Sequence, residues 1–234
     1  MSASSLLNQR TELTREPSIG GLVKFSTVDW PDQLCATLFL SGCPWRCSYC
    51  HNPHLHARQP GYDWADIEAF LQSRIGLLDG VVLSGGEPLM DPGIDTLVQR
   101  IADMGFQIGL HTAGIYPERL RAILPSIHWV GLDIKTLPKQ YDKLTFRRDS
   151  WRPVDQCLEQ LNQWSGTWEC RTTWSEAWLS QDDLLALGHY LKTRGVSHYA
   201  VQRFRHSPDE PPRDILKTST QEALGNLFES MEVR

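Results

Sequence analysis

Apolar, β-branched runs alternate with stretches of helical period along most of this sequence. The runs are Leu34–Leu40, Gly80–Ser84, Phe106–Thr112, Ile127–Ile134, Thr167–Trp174 and Ser197–Arg203. Between them lie Trp64–Leu78, Gly93–Met104, Pro117–Leu124, Val154–Trp164 and Gln181–Arg194, whose apolar residues recur at intervals of three and four. The punctuation agrees with helices there. Asp91 before Pro92 reads as an N-cap with proline at the first helical position, Gly105 as a stop, and Ser180 with Asp183 as a capping box. Strands each followed by a helix imply a parallel sheet, because every crossover returns the chain to start the next strand in the same direction. A curved, partly closed barrel is the expected architecture; Rossmann and flavodoxin-like sheets fit the same alternation. All three place chemistry in the loops after the strands' carboxyl ends.

Length and charge narrow the classes further. At 234 residues, 41% hydrophobic and 22% charged, the chain suits one well-buried domain. A formal net charge of −5 argues against a nucleic-acid-binding protein. The local cluster Arg147, Arg148 and Arg152 reads as a solvated loop. Met1–Glu16 is polar and of mixed charge, without the apolar core of an export signal, and Leu34–Leu40 is far short of a membrane span. A cytoplasmic protein with no membrane partner is therefore expected. His206–Lys217, rich in proline and charge, reads as a loop before a terminal helix from about Thr218.

Three of the six cysteines crowd into Cys43-Pro-Trp-Arg-Cys47-Ser-Tyr-Cys50, directly after the first run. Clustered thiols in a reducing compartment point to metal rather than to disulfides. Three thiolates wrap one face of a four-iron cluster and leave the fourth iron open, the arrangement of a reactive rather than a structural site. On spacing alone two alternatives stay open: a zinc site completed by His51, His54, His56 or Cys35, and an electron-transfer cluster completed by Cys157 or Cys170.

The pattern Cys-x3-Cys-x-aromatic-Cys after a first strand, with Tyr49 as the aromatic, resembles the signature of the radical S-adenosylmethionine (SAM) superfamily. The resemblance implies an α/β partial (β/α)6 barrel of the radical SAM type. It also implies a 4Fe-4S cluster held by Cys43, Cys47 and Cys50, with SAM chelating the open iron and the backbone around Tyr49 and His51 near the adenine. A second motif, Ser84-Gly85-Gly86-Glu87-Pro88, follows the second run. Glycines admit close backbone approach and a carboxylate receives an ammonium group. This Gly-Gly-Glu-Pro is similar to the family segment that binds the SAM amino group. At later strand ends, Thr112, Asp133, Lys135 and Arg171 are carried as SAM-site residues, Lys135 and Arg171 toward its carboxylate; a structural ion pair of Asp133 with Lys135 is the alternative. His111 reads as a satisfied core histidine.

Within the superfamily, Phe25-Ser-Thr-Val-Asp29-Trp-Pro31-Asp and Cys50-His51-Asn52-Pro53 resemble the activating enzymes of glycyl-radical proteins, nearest the activator of anaerobic ribonucleoside-triphosphate reductase. Pyruvate formate-lyase activators read Asp-Gly-Pro-Gly where this chain has Asp29-Trp-Pro-Asp32, and Asp-Thr-Asn-Gly where it has His111-Thr-Ala-Gly114. The resemblance implies reductive cleavage of SAM to a 5′-deoxyadenosyl radical that makes a glycyl radical on the reductase or another glycyl-radical protein, with flavodoxin or ferredoxin as electron donor. The alternative is a small-molecule radical SAM enzyme of the carboxy-deazaguanine synthase type. The expected organisation is a single domain, 1–234, with an N-terminal extension 1–18, a barrel core 19–205 and a C-terminal loop and helix 206–234. Trp45, Trp174 and Trp178 are candidates for a docking surface.

Overall fold

The structure, a computed structural model, describes residues 16–59, 61–205 and 210–234. Most of the expected N-terminal extension (1–15) and the start of the proline-rich loop (206–209) lie outside the described residues. The fold is α/β, and the chain divides into two compact units. One comprises the described residues up to Thr112 with Glu118–Val130, the other Ala113–Pro117 with the described residues from Gly131 onward.

In the first unit the strands are β1 (Ile19–Ser26), β2 (Cys35–Leu40), β3 (Gly80–Gly85) and β4 (Gln107–Thr112), in that order, followed by the start of β5 (Trp129–Asp133). β2 pairs with β3 and β3 with β4 in parallel, as the alternation requires. The intervening helices are α1 (Trp64–Gln72), α2 (Ile94–Asp103) and α3 (Pro117–Ile123). The sequence reading missed β1, which pairs antiparallel to β2 with two register shifts. Its Gly20-Gly21 pair and exposed Val23-Lys24-Phe25 stretch erase the two-residue period that marks a half-buried strand.

The second unit holds the end of β5, then β6 (Thr167–Trp174), β7 (His198–Arg203) and β8 (Ser230–Val233), with parallel pairing of β6 with β7 and β7 with β8. Its helices are α4 (Tyr141–Thr145), α5 (Trp151–Gln163), α6 (Gln181–Thr193) and α7 (Thr218–Gly225). Four residues are too few for β8 to show a period, and α4 is a single turn of helix.

Helix boundaries shift where local chemistry overrides the pattern. α1 ends at Gln72 rather than Leu78, because Gly76 takes φ 75° and the chain turns through residues 73–77. α2 begins at Ile94, one residue after its cap Gly93; Asp91 instead accepts the Gly93 N–H at 2.8 Å. α5 starts at Trp151, three residues early. Pro153 sits in its first turn, where no N–H is needed. Ser180 caps α6 as read, accepting the Asp183 N–H at 3.1 Å.

Trp30 anchors the first unit. Its ring stacks on Trp129 with centroids 5.8 Å apart, and Cys35 and Val82 complete the cluster. A Cβ at Gly80 would lie 2.9 Å from the Trp30 ring and one at Gly109 2.8 Å away, so both strands carry glycine where the indole enters. Of the three tryptophans that are candidates for a docking surface, Trp45 and Trp174 are buried in the core, the commoner fate of such a residue. Trp178 is half-buried, edge-on to Phe204 at 5.0 Å. No described helix is long and apolar enough to cross a membrane. Trp30→Ala should destabilise the protein by about 3–5 kcal/mol, seen as a lower urea midpoint at unchanged slope.

Candidate active site

Residues 43–54 form a loop that leaves the carboxyl end of β2 and is pinched shut at its neck. The Gly42 N–H donates to Leu55 O at 2.7 Å and the Cys43 N–H to His56 O at 3.0 Å. Inside the loop, the Cys50 N–H reaches Cys47 O at 3.1 Å, and the Arg46 guanidinium curls back to the carbonyls of Cys43 and Trp45, each at 2.7 Å. The loop thus has its own framework of backbone bonds. Cys43, Cys47 and Cys50 are all half-buried, Tyr49 is buried and His51 exposed. Burial and the Arg46 charge hold the His56 imidazole below its ordinary pKa, which favours the neutral ring.

The Gly-Gly-Glu-Pro segment lies directly against this neck. β2 and β3 are in register to Leu40 with Gly85. Beyond that pair, the Gly86 N–H donates to Leu40 O at 2.9 Å and the Glu87 N–H to Gly42 O at 2.8 Å. A Cβ on Gly86 would lie 2.4 Å from that same Gly42 oxygen, so only glycine fits. Ser84, Gly85 and Gly86 keep partial exposure while Glu87 is fully buried. The Glu87 carboxylate turns inward: Oε1 accepts the Leu89 N–H at 3.1 Å and the Thr112 hydroxyl at 2.7 Å. Glu87 and Thr112 are brought together as a pair that shapes the loop from behind.

His111 is a satisfied histidine, as read, but its partners matter. Nε2 lies 2.7 Å from Asp29 O and Nδ1 3.3 Å from Ser84 Oγ, with the ring edge-on to Trp129 at 5.5 Å. A carbonyl only accepts, so Nε2 carries the proton; in the neutral ring Nδ1 is then the acceptor for the Ser84 hydroxyl.

Asp91, Arg58 and Arg119 also hold the site, a role that no motif in the sequence marks. Asp91 is buried and accepts Ser18 N–H (3.1 Å), Gly93 N–H (2.8 Å) and Arg58 Nε (3.2 Å). Arg119 on α3 donates to the carbonyls of Leu89 and Asp91, each at 2.8 Å. Together they fix the turn after Pro88 to the chain leaving the cysteine loop. The Asp-Pro pair reads in sequence as a helix start, which accounts for one carboxylate oxygen; the other serves partners distant in sequence.

Among the described residues no three Cys, His, Asp or Glu side chains surround a common metal position. The donor chemistry still fits an iron-sulfur cluster. Three half-buried thiols share one braced loop, whereas the other three are buried among core groups. The Cys35 thiol is pushed up to about 11 by burial and by the Asp29 charge, and Cys170 is raised well above its usual value by complete burial. Cys157 donates to Gly114 O at 3.4 Å. A ligand must be a thiolate, and burial of this kind disfavours one.

In the second unit the end of β5 brings Asp133 and Lys135 beside Arg171, which lies within β6. Arg171 Nη2 lies 3.0 Å from Asp133 Oδ1 and Lys135 Nζ 3.6 Å from Oδ2. Asp133 thus presents one carboxylate oxygen to each of the two cations. The expected ion pair is present, and Arg171 joins it.

Residues 37–163, more than half of the chain, match the radical SAM superfamily. The chain is 26% identical over 196 residues to a putative glycyl-radical enzyme activating enzyme of Methanocaldococcus jannaschii, covering 80% of this chain and 79% of that one. It is 30% identical over 126 residues to the pyruvate formate-lyase-activating enzyme of Clostridium pasteurianum, covering 50% and 52%. Its fold is like that of Streptococcus suis SuiB, whose crystal structure is bound to the precursor peptide SuiA: TM-score 0.59 at 16% identity, covering 81% of this chain and 46% of SuiB. The chain therefore spans about half the length of SuiB. The protein belongs to the radical SAM superfamily. It has that family's unclosed, mostly parallel α/β barrel fold, is a radical SAM oxidoreductase, and by membership has the capacity for a 4Fe-4S cluster and SAM.

Gly86→Ala should force the two loops apart at a cost of about 1–3 kcal/mol. Equilibrium unfolding would register the loss, and hydrogen exchange should quicken at the Glu87 amide before it changes in the strands.

Proposed function

We propose that this protein is a radical SAM activase that installs a glycyl radical on a partner protein. The observation that carries the reading is the junction of the braced Cys43–Cys47–Cys50 loop with the Gly85-Gly86 turn, within a chain that is similar to a putative glycyl-radical activating enzyme along 79% of that enzyme's length. Cys43, Cys47 and Cys50 would hold the cluster. Ser84, Gly85 and Gly86 would offer backbone and hydroxyl oxygens to the SAM ammonium, and Glu87 with Thr112 would keep that turn in place. Tyr49 and His51 are the proposed neighbours of the adenine. The cluster and SAM, when bound, supply one-electron reduction and the 5′-deoxyadenosyl radical. The chain's own residues bind, orient and shield, and no general base is needed.

Asp133, Lys135 and Arg171 are the further SAM-site residues proposed, with Lys135 and Arg171 directed to its carboxylate and Asp133 orienting the two cations. The partner class follows the named relatives: both are activating enzymes, and the peptide-bound SuiB structure supports a polypeptide substrate. Anaerobic ribonucleoside-triphosphate reductase is the partner to test first, because the lead-in segment and the Asp29-Trp-Pro-Asp32 departure favour it over pyruvate formate-lyase. Flavodoxin or ferredoxin is the proposed electron donor.

The test is an electron paramagnetic resonance spectrum of the anaerobically reconstituted, reduced protein with SAM and the reductase from the same source. A glycyl-radical doublet is expected, absent with Cys47→Ala. Gly86→Ala should cut 5′-deoxyadenosine release by about 10²-fold while retaining iron. No doublet from a sample that still cleaves SAM would redirect the assignment to another glycyl-radical protein, or to a small-molecule substrate of the carboxy-deazaguanine synthase kind.

A further inference from the structure

The second unit carries a built surface loop that the site does not use. It leaves the carboxyl end of β5 directly after Asp133 and Lys135, where the Lys135 N–H donates to Tyr141 Oη at 2.9 Å. After α4 the chain takes a left-handed residue at Phe146 (φ 55°) and another at Asp149 (φ 54°). Neither is glycine, and Phe has no side-chain group to compensate, so the conformation is strained and must be held by its surroundings. Asp142 does the holding: its carboxylate accepts the Asp149 N–H, the Ser150 N–H and the Ser150 hydroxyl, each at 2.9 Å. Those bonds lower the Asp142 pKa. At the base, Tyr141 packs edge-on to Trp151 at 5.0 Å.

What this brace presents is an exposed ring between basic groups. Phe146 is 68% exposed, and Lys139, Lys143, Arg147, Arg148 and Arg152 are at the surface around it in sequence. Residues 139–152 contain these five cations and two carboxylates, a net +3, while the whole chain carries −5; the remainder therefore carries −8. An acidic protein surface is repelled by most of this chain and attracted at this loop. An aromatic beside arginines is also the residue set that dominates protein interfaces, since it combines apolar area with planar, carboxylate-matching donors.

We propose that the Phe146-Arg147-Arg148 knuckle docks an acidic face of the protein whose glycine is activated. The inference rests on the activase reading, and it adds where the partner is gripped. The loop's position supports this occupant: it is the βα loop that begins at the Asp133–Lys135–Arg171 cluster, on the strand-end side where such folds work.

The experiment compares wild type with Arg147→Glu/Arg148→Glu, and separately with Phe146→Asn, which tolerates the left-handed backbone while removing the ring. The probe is the anaerobic ribonucleoside-triphosphate reductase from the same source. At low ionic strength both variants should generate the glycyl radical at least about tenfold more slowly than wild type. Dithionite-driven SAM cleavage without the partner should be unchanged, which separates lost docking from lost fold or cluster. Added salt should slow the wild type and leave the charge-reversed variant nearly unaffected. Equal radical yields and rates in wild type and variants would overturn the docking proposal alone. Absence of the doublet in wild type that still cleaves SAM would sink the reductase assignment, and this proposal with it.

Discussion

The carbonyl of Gly42 is the point on which the site's architecture turns. It accepts the Glu87 N–H, and the bare α-carbon of Gly86 passes against it closer than any side chain would permit. The residue's own N–H closes the neck of the cysteine loop. One residue therefore joins the segment bearing the thiols to the glycine-rich turn, and neither can shift alone. Asp91 and Arg119 extend the same logic outward by tying down the turn after Pro88. Buried backbone bonds resist displacement because each broken pair leaves an unsatisfied group.

How much of this was legible in the sequence depended on how local the cause is. The strands from β2 to β7 came through because each is a run of apolar residues bounded by turn formers. β1 did not, since its period is broken by glycines, bulges and an exposed face, and β8 is too short to have one. The thiol loop and Gly-Gly-Glu-Pro were equally visible, being contiguous in the chain. Their tertiary roles were not. That Glu87 points inward to Thr112, that Asp91 serves three donors and that His111 bridges Asp29 and Ser84 are outcomes of pairing between distant segments. A carboxylate beside two glycines looks the same in sequence whether it faces a ligand or the core.

Trp30 shows how one large side chain sets requirements on distant segments. The chain reads Asp-Trp-Pro-Asp where the pyruvate formate-lyase activators resembled have Asp-Gly-Pro-Gly, and the added indole needs a slot. Gly80 and Gly109 make that slot on adjacent strands, and Trp129 supplies the stacking face. The same segment offers the Asp29 carbonyl to His111, the other place where the two patterns differ. The two segments are thus in direct contact.

The unequal burial of the six cysteines has a practical side. Three thiols lie on one partly exposed loop, and three are sealed in cores where burial keeps Cys35 and Cys170 protonated. Electrophiles react with accessible thiolates, so in the folded state only the loop trio is open to alkylation or to oxidation by air. Any metal held there would mask it. The mass added by a brief pulse of iodoacetamide would therefore count, molecule by molecule, how much of a preparation has lost its cluster, with the buried trio as an internal gauge of whether the fold has survived.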